Sequence, residues 1–124
     1  MNSTFTKIVR FVLALMLLVF GINKFLKFIP MPELPPDASE FMGELVATGY
    51  VLPIVGIIEI FIGILLIVNK WPAFAMVLLA PISVNILLFH LFLDLPGIGG
   101  ALIVAILNGI LIYKLWPKFR PLFH

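Results

Sequence analysis

Five side chains in this sequence have the chemistry to hold a polar ligand or to pass a proton: Lys24, Glu59, Asn85, His90 and Asn108. Each sits within a long apolar stretch. A charged or strongly polar group in hydrocarbon costs a few kcal/mol, so it turns to the interior of a bundle and finds a partner there. Glu59 carries the strongest signal. Gly56 and Gly63 lie three residues before and four residues after it, on one helical face. Small residues let a neighbouring helix approach closely, so the Glu59 carboxyl is expected to point into a helix contact and not into lipid. Lys24 is its natural partner. It shares a helical face with Ala14, Gly21 and Phe28, and at 1.5 Å rise per residue its depth differs from that of Glu59 by only about 4–5 Å. The alternative is a lysine that snorkels to the membrane surface.

The other three residues have weaker contexts. Pro81 precedes Asn85 by four residues, so the local backbone lacks one hydrogen bond, and an amide side chain can serve a carbonyl there. Asn108 lies on a face with Ala101 and Ala105 and suits interhelical hydrogen bonding. His90 has Asp94 one turn ahead, a spacing that allows a His–Asp hydrogen bond. On an ideal helix Asn85 and His90 point about 140° apart, so they share a cavity only if the proline reorients the helix. Taken together, the five residues fall in the middle and outer part of the membrane, with all four spans contributing. That convergence predicts a polar pocket around Glu59. A purely structural polar network is the competing reading. Phe25 and Phe89 are available to contact a ring, or to pack the core.

The elements that position these groups follow from composition. Of 124 residues, 63% are hydrophobic and 11% charged, and the mean hydropathy is +1.24. A soluble domain carries charge at about a quarter of its positions, so lipid must be part of this chain's solvent. Crossing the hydrocarbon takes about 20 apolar residues. Four such stretches are predicted, at about 8–29, 51–68, 73–93 and 98–115, within a single transmembrane domain over 1–124. The expected class is all-α, a transmembrane four-helix bundle with a short amphipathic helix between spans 1 and 2. Prolines supply the breaks, at Pro30 to Pro36, at Asn69-Lys70-Trp71-Pro72, at Asp94-Leu95-Pro96-Gly97 and at Trp116-Pro117, because proline lacks an amide donor and clashes with the preceding turn. Lys7 and Arg10 before an apolar run resemble a signal peptide. The run continues without a small-x-small site, so it reads as an uncleaved first span.

The connector helix is predicted over about 38–48, on the extracytoplasmic side. Asp37 and Glu40 have capping-box spacing, and Ala38, Phe41, Met42, Leu45 and Val46 share one face. Gly49 stops it. Such a helix is too short to cross the bilayer. It is either a packed connector or a lid over the pocket. Lys7, Arg10, Lys70, Lys114, Lys118 and Arg120 fall on one side of the membrane. Lys24 and Lys27 lie towards the other, with Glu33, Asp37, Glu40, Glu44 and Asp94. The excess of basic residues on cytoplasmic loops puts both termini in the cytoplasm.

Several chemistries are excluded. Without cysteine there is no thiolate catalysis, disulfide exchange or iron–sulfur ligation on this chain. Two histidines, His90 and His124, do not make a histidine-rich metal site, and no metal is expected. Gly97-Ile98-Gly99-Gly100 is a helix-start turn and not a nucleotide fingerprint, and no nucleic-acid partner is expected. Four spans leave no room for a separate catalytic domain.

The sequence resembles the DoxX family of small four-span bacterial membrane proteins. The resemblance lies in Gly21-Ile22-Asn23-Lys24-Phe25, in Pro53 with Gly56, Glu59 and Gly63, in Pro81 to His90, and in Phe119-Arg120-Pro121-Leu122-Phe123. It implies a bacterial inner (cytoplasmic) membrane protein. The family takes its name from a relative of a membrane subunit of thiosulfate:quinone oxidoreductase, and other members are linked to redox and oxidative-stress complexes. The expectation is therefore a subunit that binds a quinone or another lipophilic molecule and is not a catalyst on its own. Its expected partners are the lipid bilayer, a redox subunit and other copies of the chain. Glu59 and His90 would contact the head group, with Lys24 setting the charge of Glu59. The alternatives are a non-enzymatic scaffold and a small oligomeric transporter.

Overall fold

The structure is a computed structural model describing residues 3–26 and 33–123. The predicted end of span 1 near Ile29, the positions of Lys27 and Phe28, the start of the proline break and His124 lie outside the described residues. The long elements are α1 (Thr4–Leu26), α2 (Pro36–Ala47), α3 (Val51–Ile67), α4 (Pro72–Leu93) and α5 (Ile98–Lys114). A 3-10 turn over Leu95–Gly97 joins α4 to α5, and a short α6 (Trp116–Phe119) with a 3-10 turn over Arg120–Phe123 follows. Among the described residues there is no strand.

Local chemistry sets the ends. The helix α1 starts at Thr4 because Ser3 caps it: the Thr6 amide donates to Ser3 Oγ at 3.1 Å, filling one of the orphan donors of a helix N-terminus. At α2 the expected cap by Asp37 is corrected. Pro36 takes the first helical position with Pro35 before it, and no side chain caps the helix. Proline has its φ already set for that position and no amide to satisfy, so the helix begins before Asp37 can act as its cap. Gly49 adopts φ +78° and ends α2 as expected, its amide donating to the Val46 carbonyl at 3.0 Å. At the end of α3 the Lys70 amide returns to the Leu65 carbonyl at 2.9 Å around Asn69, which sits at φ +54°. Asparagine is among the residues that tolerate this conformation best.

The long helices α1, α3, α4 and α5 form a ring in which α1 and α4 each pack on both α3 and α5. Successive members are antiparallel. Gly21 of α1 lies against Gly56, and Ala14 against Gly63, so α3 runs back along α1. Leu13, Leu17, Ile62, Leu66, Met76, Leu79 and Leu111 form the fully buried core. The outward faces are just as apolar: Leu15, Ile57, Ile64, Leu88 and Ile106 are all exposed. Side chains of this kind on both faces of a helix belong in lipid.

By length and composition α1, α4 and the segment Leu95–Lys114 can each cross a membrane. The 17 residues of α3 span about 25 Å, and α2 is bent 87° from it. The connector α2 therefore lies across the end of the bundle, away from the chain termini.

Candidate functional site

The site is built on the close approach of α1 to α3. A Cβ on Gly21 would sit 2.8 Å from the Gly56 carbonyl oxygen, and one on Gly56 would sit 3.2 Å from Lys24 Cβ. Real Cβ atoms do not tolerate the first of these distances, so the two backbones touch because neither residue has a side chain. This contact brings Lys24 to Glu59. Lys24 Nζ lies 2.6 Å from Glu59 Oε1. Glu59 is 1% exposed, and among the described residues no other group meets Oε1. The Lys24 side chain is only 22% exposed, so it turns inward to its counter-charge and does not snorkel. The glycine spacing in α3 thus predicted a helix contact correctly, and the structure identifies the neighbour as α1.

Beside this pair lies a partly open cavity of about 500 Å³. Its walls are Val51, Leu52 and Val55 from α3, and Pro81, Ile82, Asn85, Ile86, Phe89 and His90 from α4. Phe41, Met42 and Leu45 of α2 close it from above, and Lys24 is the group that α1 contributes. The apolar face of the connector helix is thus a roof over the cavity. Phe41 and Phe89 meet across it with ring centroids 5.6 Å apart. Phe25 does not line the cavity; it packs at Gly56.

Of the five residues singled out by sequence, Lys24, Asn85 and His90 line this cavity. Asn85 and His90 thus share a space. The cavity touches positions 81, 82, 85, 86, 89 and 90, a face covering about half the helix circumference at 3.6 residues per turn. Pro81 and His90 stand at its two edges, with Asn85 next to the Pro81 edge. Asn85 Nδ2 donates to the Pro81 carbonyl at 2.7 Å. The carbonyl freed by the proline ring is instead that of Val77, one turn earlier.

His90 and Asp94 form the predicted pair. Nδ1 is 3.2 Å from Asp94 Oδ2 and 3.2 Å from the Asp94 carbonyl oxygen. Asp94 is buried, and Gly97 leaves room for it: a Cβ there would sit 2.5 Å from Oδ2 and 3.3 Å from His90 Cε1.

Glu59 and Asn108 are placed elsewhere. Glu59 is not among the lining residues and stands behind Lys24 as its counter-ion. Asn108 is buried between α5 and α4. It accepts from Ser83 Oγ at 2.9 Å and donates to Met76 Sδ at 3.3 Å, so its contacts are interhelical.

Three buried polar residues, Thr6, Ser83 and Arg10, had no place in the sequence reading beyond charge counting. Ser83 is the partner of Asn108, and a serine two residues after Pro81 offered no periodic signal. Arg10 is 7% exposed, and its Nη1 donates to the Leu66 carbonyl and, at 3.5 Å, to that of Ile67. It closes the orphan carbonyls at the end of α3, where a cation also suits the helix dipole. An arginine within the first turns of a span, where a lysine would serve topology equally, was the available clue.

Among the described residues no group of three His, Asp or Glu side chains is placed to hold a metal ion. The arrangement offers an apolar chamber with a lysine ammonium, a carboxamide and an imidazole at its margins. Such a chamber can bind and orient an amphiphile by its polar head.

No curated protein and no solved structure matches the chain. Residues 5–91 match the family model described as DoxX. The matched stretch includes α1, α2, α3, most of α4 and every residue lining the cavity. With its apolar four-helix ring and well over half of its length matched, the chain is a membrane protein of the DoxX family.

Proposed function

We propose that this protein binds a lipophilic small molecule with a polar head group, of the quinone class, as the membrane subunit of a redox system in a bacterial inner membrane. The observation that carries the reading is the roofed cavity of about 500 Å³, apolar on most of its wall and fringed by Lys24, Asn85 and His90. Small-molecule sites fall at about 300–1,000 Å³, with mostly apolar linings and a few placed polar groups. The fit to a quinone is chemical. A quinone carbonyl is an acceptor, and Lys24 supplies ammonium donors at one wall. Phe41 and Phe89, in contact with each other, offer one aromatic surface against which a ring would lie.

In this reading Glu59 balances the lysine charge and holds it beside the cavity without touching the ligand. The bound molecule would supply the electron chemistry, and the chain would supply orientation and exclusion of water. Both termini lie in the cytoplasm, supported by the basic residues near the bundle end that carries them. The exposed apolar faces are free for bilayer, for a redox partner subunit or for another copy.

The test is to purify the protein gently and identify co-purifying lipophilic molecules by mass spectrometry, for wild type, Lys24→Met and Glu59→Gln. A stoichiometric quinone or other non-bulk lipid, depleted in folded variants, is the expected result. Bulk phospholipid alone in every sample would overturn the reading in favour of an accessory scaffold.

A further inference from the structure

His90 carries more information than its place on the cavity wall. Its Nδ1 faces two acceptors of Asp94, the carboxylate Oδ2 at 3.2 Å and the main-chain oxygen at 3.2 Å. A main-chain carbonyl and a carboxylate both only accept, so the hydrogen of this contact is placed on Nδ1. In the neutral ring the other nitrogen, Nε2, then holds a lone pair. Among the described residues no group meets Nε2, and it is not among the fully buried unpartnered atoms there. It is therefore accessible in a residue that lines the cavity.

Two further features fix this state. The Phe89 ring stands edge-on to the imidazole, with centroids 5.1 Å apart. Gly97 leaves space for Asp94 to approach, since a Cβ would press on both members of the pair. Asn85 adds to the pattern. One N–H of its amide is committed to the Pro81 carbonyl, which leaves Oδ1 able to accept and the second N–H able to donate. The α4 wall thus includes acceptors, opposite the donors of Lys24 on α1.

We infer that the α4 wall selects a head group bearing a hydroxyl donor, received by His90 Nε2, with Asp94 and Gly97 as positioning residues. Among quinone-class ligands, the preferred form is the dihydroxy, reduced one. The inference rests on the cavity being the ligand site proposed above, and the experiment separates the two.

Binding of a para-alkylphenol and of its O-methyl ether is measured by calorimetry on detergent-solubilised full-length protein. The phenol should bind about tenfold more tightly, because the ether leaves a buried acceptor without a donor. In His90→Phe the preference should vanish while ether binding persists. Gly97→Ala should reduce the preference by displacing Asp94. Equal binding of phenol and ether to wild type would overturn the inference and leave the ligand site standing. Binding of neither would overturn both.

Nitrogen-15 NMR of labelled histidines reads the tautomer without any ligand. His90→Phe identifies the His90 signal against that of His124. A His90 resonance pattern with the proton on Nδ1 in wild type, shifted towards the other tautomer in Gly97→Ala, is expected. A proton on Nε2 in wild type would overturn the inference whatever the binding data.

Discussion

Two regions of the bundle handle buried polarity in opposite ways. Between α4 and α5, Ser83, Asn108 and Met76 satisfy one another, and towards the chain termini Arg10 closes the last carbonyls of α3. The surrounding Leu13, Leu66, Leu79 and Leu111 are fully buried. Around the cavity, Lys24 and Glu59 form a pair whose lysine borders the open space, and His90 holds one nitrogen to Asp94. The first region spends its polar groups on holding helices together. The second keeps unspent donors and acceptors against an open space. Polar residues at similar membrane depth thus divide by what remains unpaired after folding.

The sharpest test of this contrast is the ion pair. Lys24→Met leaves the Glu59 carboxyl buried with no counter-charge and should cost about 3–5 kcal/mol, read by thermal unfolding in detergent. The double variant Lys24→Met with Glu59→Gln should recover most of that loss. A double variant as unstable as the single would show that the lysine matters for packing and not for charge.

The next test addresses the helix contact that makes the pair possible. Gly21→Val forces side-chain atoms against the Gly56 carbonyl and Ile60 and should cost about 1–3 kcal/mol through overpacking. It should also depress ligand occupancy, because separating α1 from α3 moves Lys24.

In the α4–α5 contact, Asn108→Leu should cost about 1 kcal/mol, the scale of an interhelical hydrogen bond in membranes, and leave ligand occupancy unchanged. A loss of ligand in folded Asn108→Leu would erase the distinction between the two regions.

The smallest effect is a gain. A Cβ on Gly109 meets nothing within 4 Å, so Gly109→Ala should stabilise α5 by up to about 1 kcal/mol. Comparing its melting curve with that of Gly21→Val separates a glycine required by contact from one that is not.

Much of this architecture was legible in the sequence, for identifiable reasons. Hydropathy and proline placement revealed the long helices because water-to-lipid transfer and the missing proline amide act locally. The Lys24–Glu59 pair was legible because glycine spacing and helical rise together constrain which groups can meet. The cavity's membership was not. Whether Glu59 or Lys24 faces the open space depends on how α1 and α3 are rotated about each other, and no periodicity in one helix records that. Asn108 was grouped with the cavity residues by depth alone, and its true partner, Ser83, lies on a different helix with no pattern to announce it. At α2 the acidic spacing suggested a cap by Asp37, but the preceding proline pair had already determined where the helix starts.

The Lys24–Glu59 pair also orders events during synthesis. Lys24 leaves the ribosome first, and α2 and half of α3 are made before Glu59 follows. At about 5–20 residues per second that interval lasts seconds. Through it α1 carries an ammonium without its Glu59 partner, and the long lysine stem can hold that ammonium at the water boundary. Once α3 is made, the glycines can seat against each other and the charge can turn inward to its partner. The first helix can thus be inserted in one arrangement and completed in another.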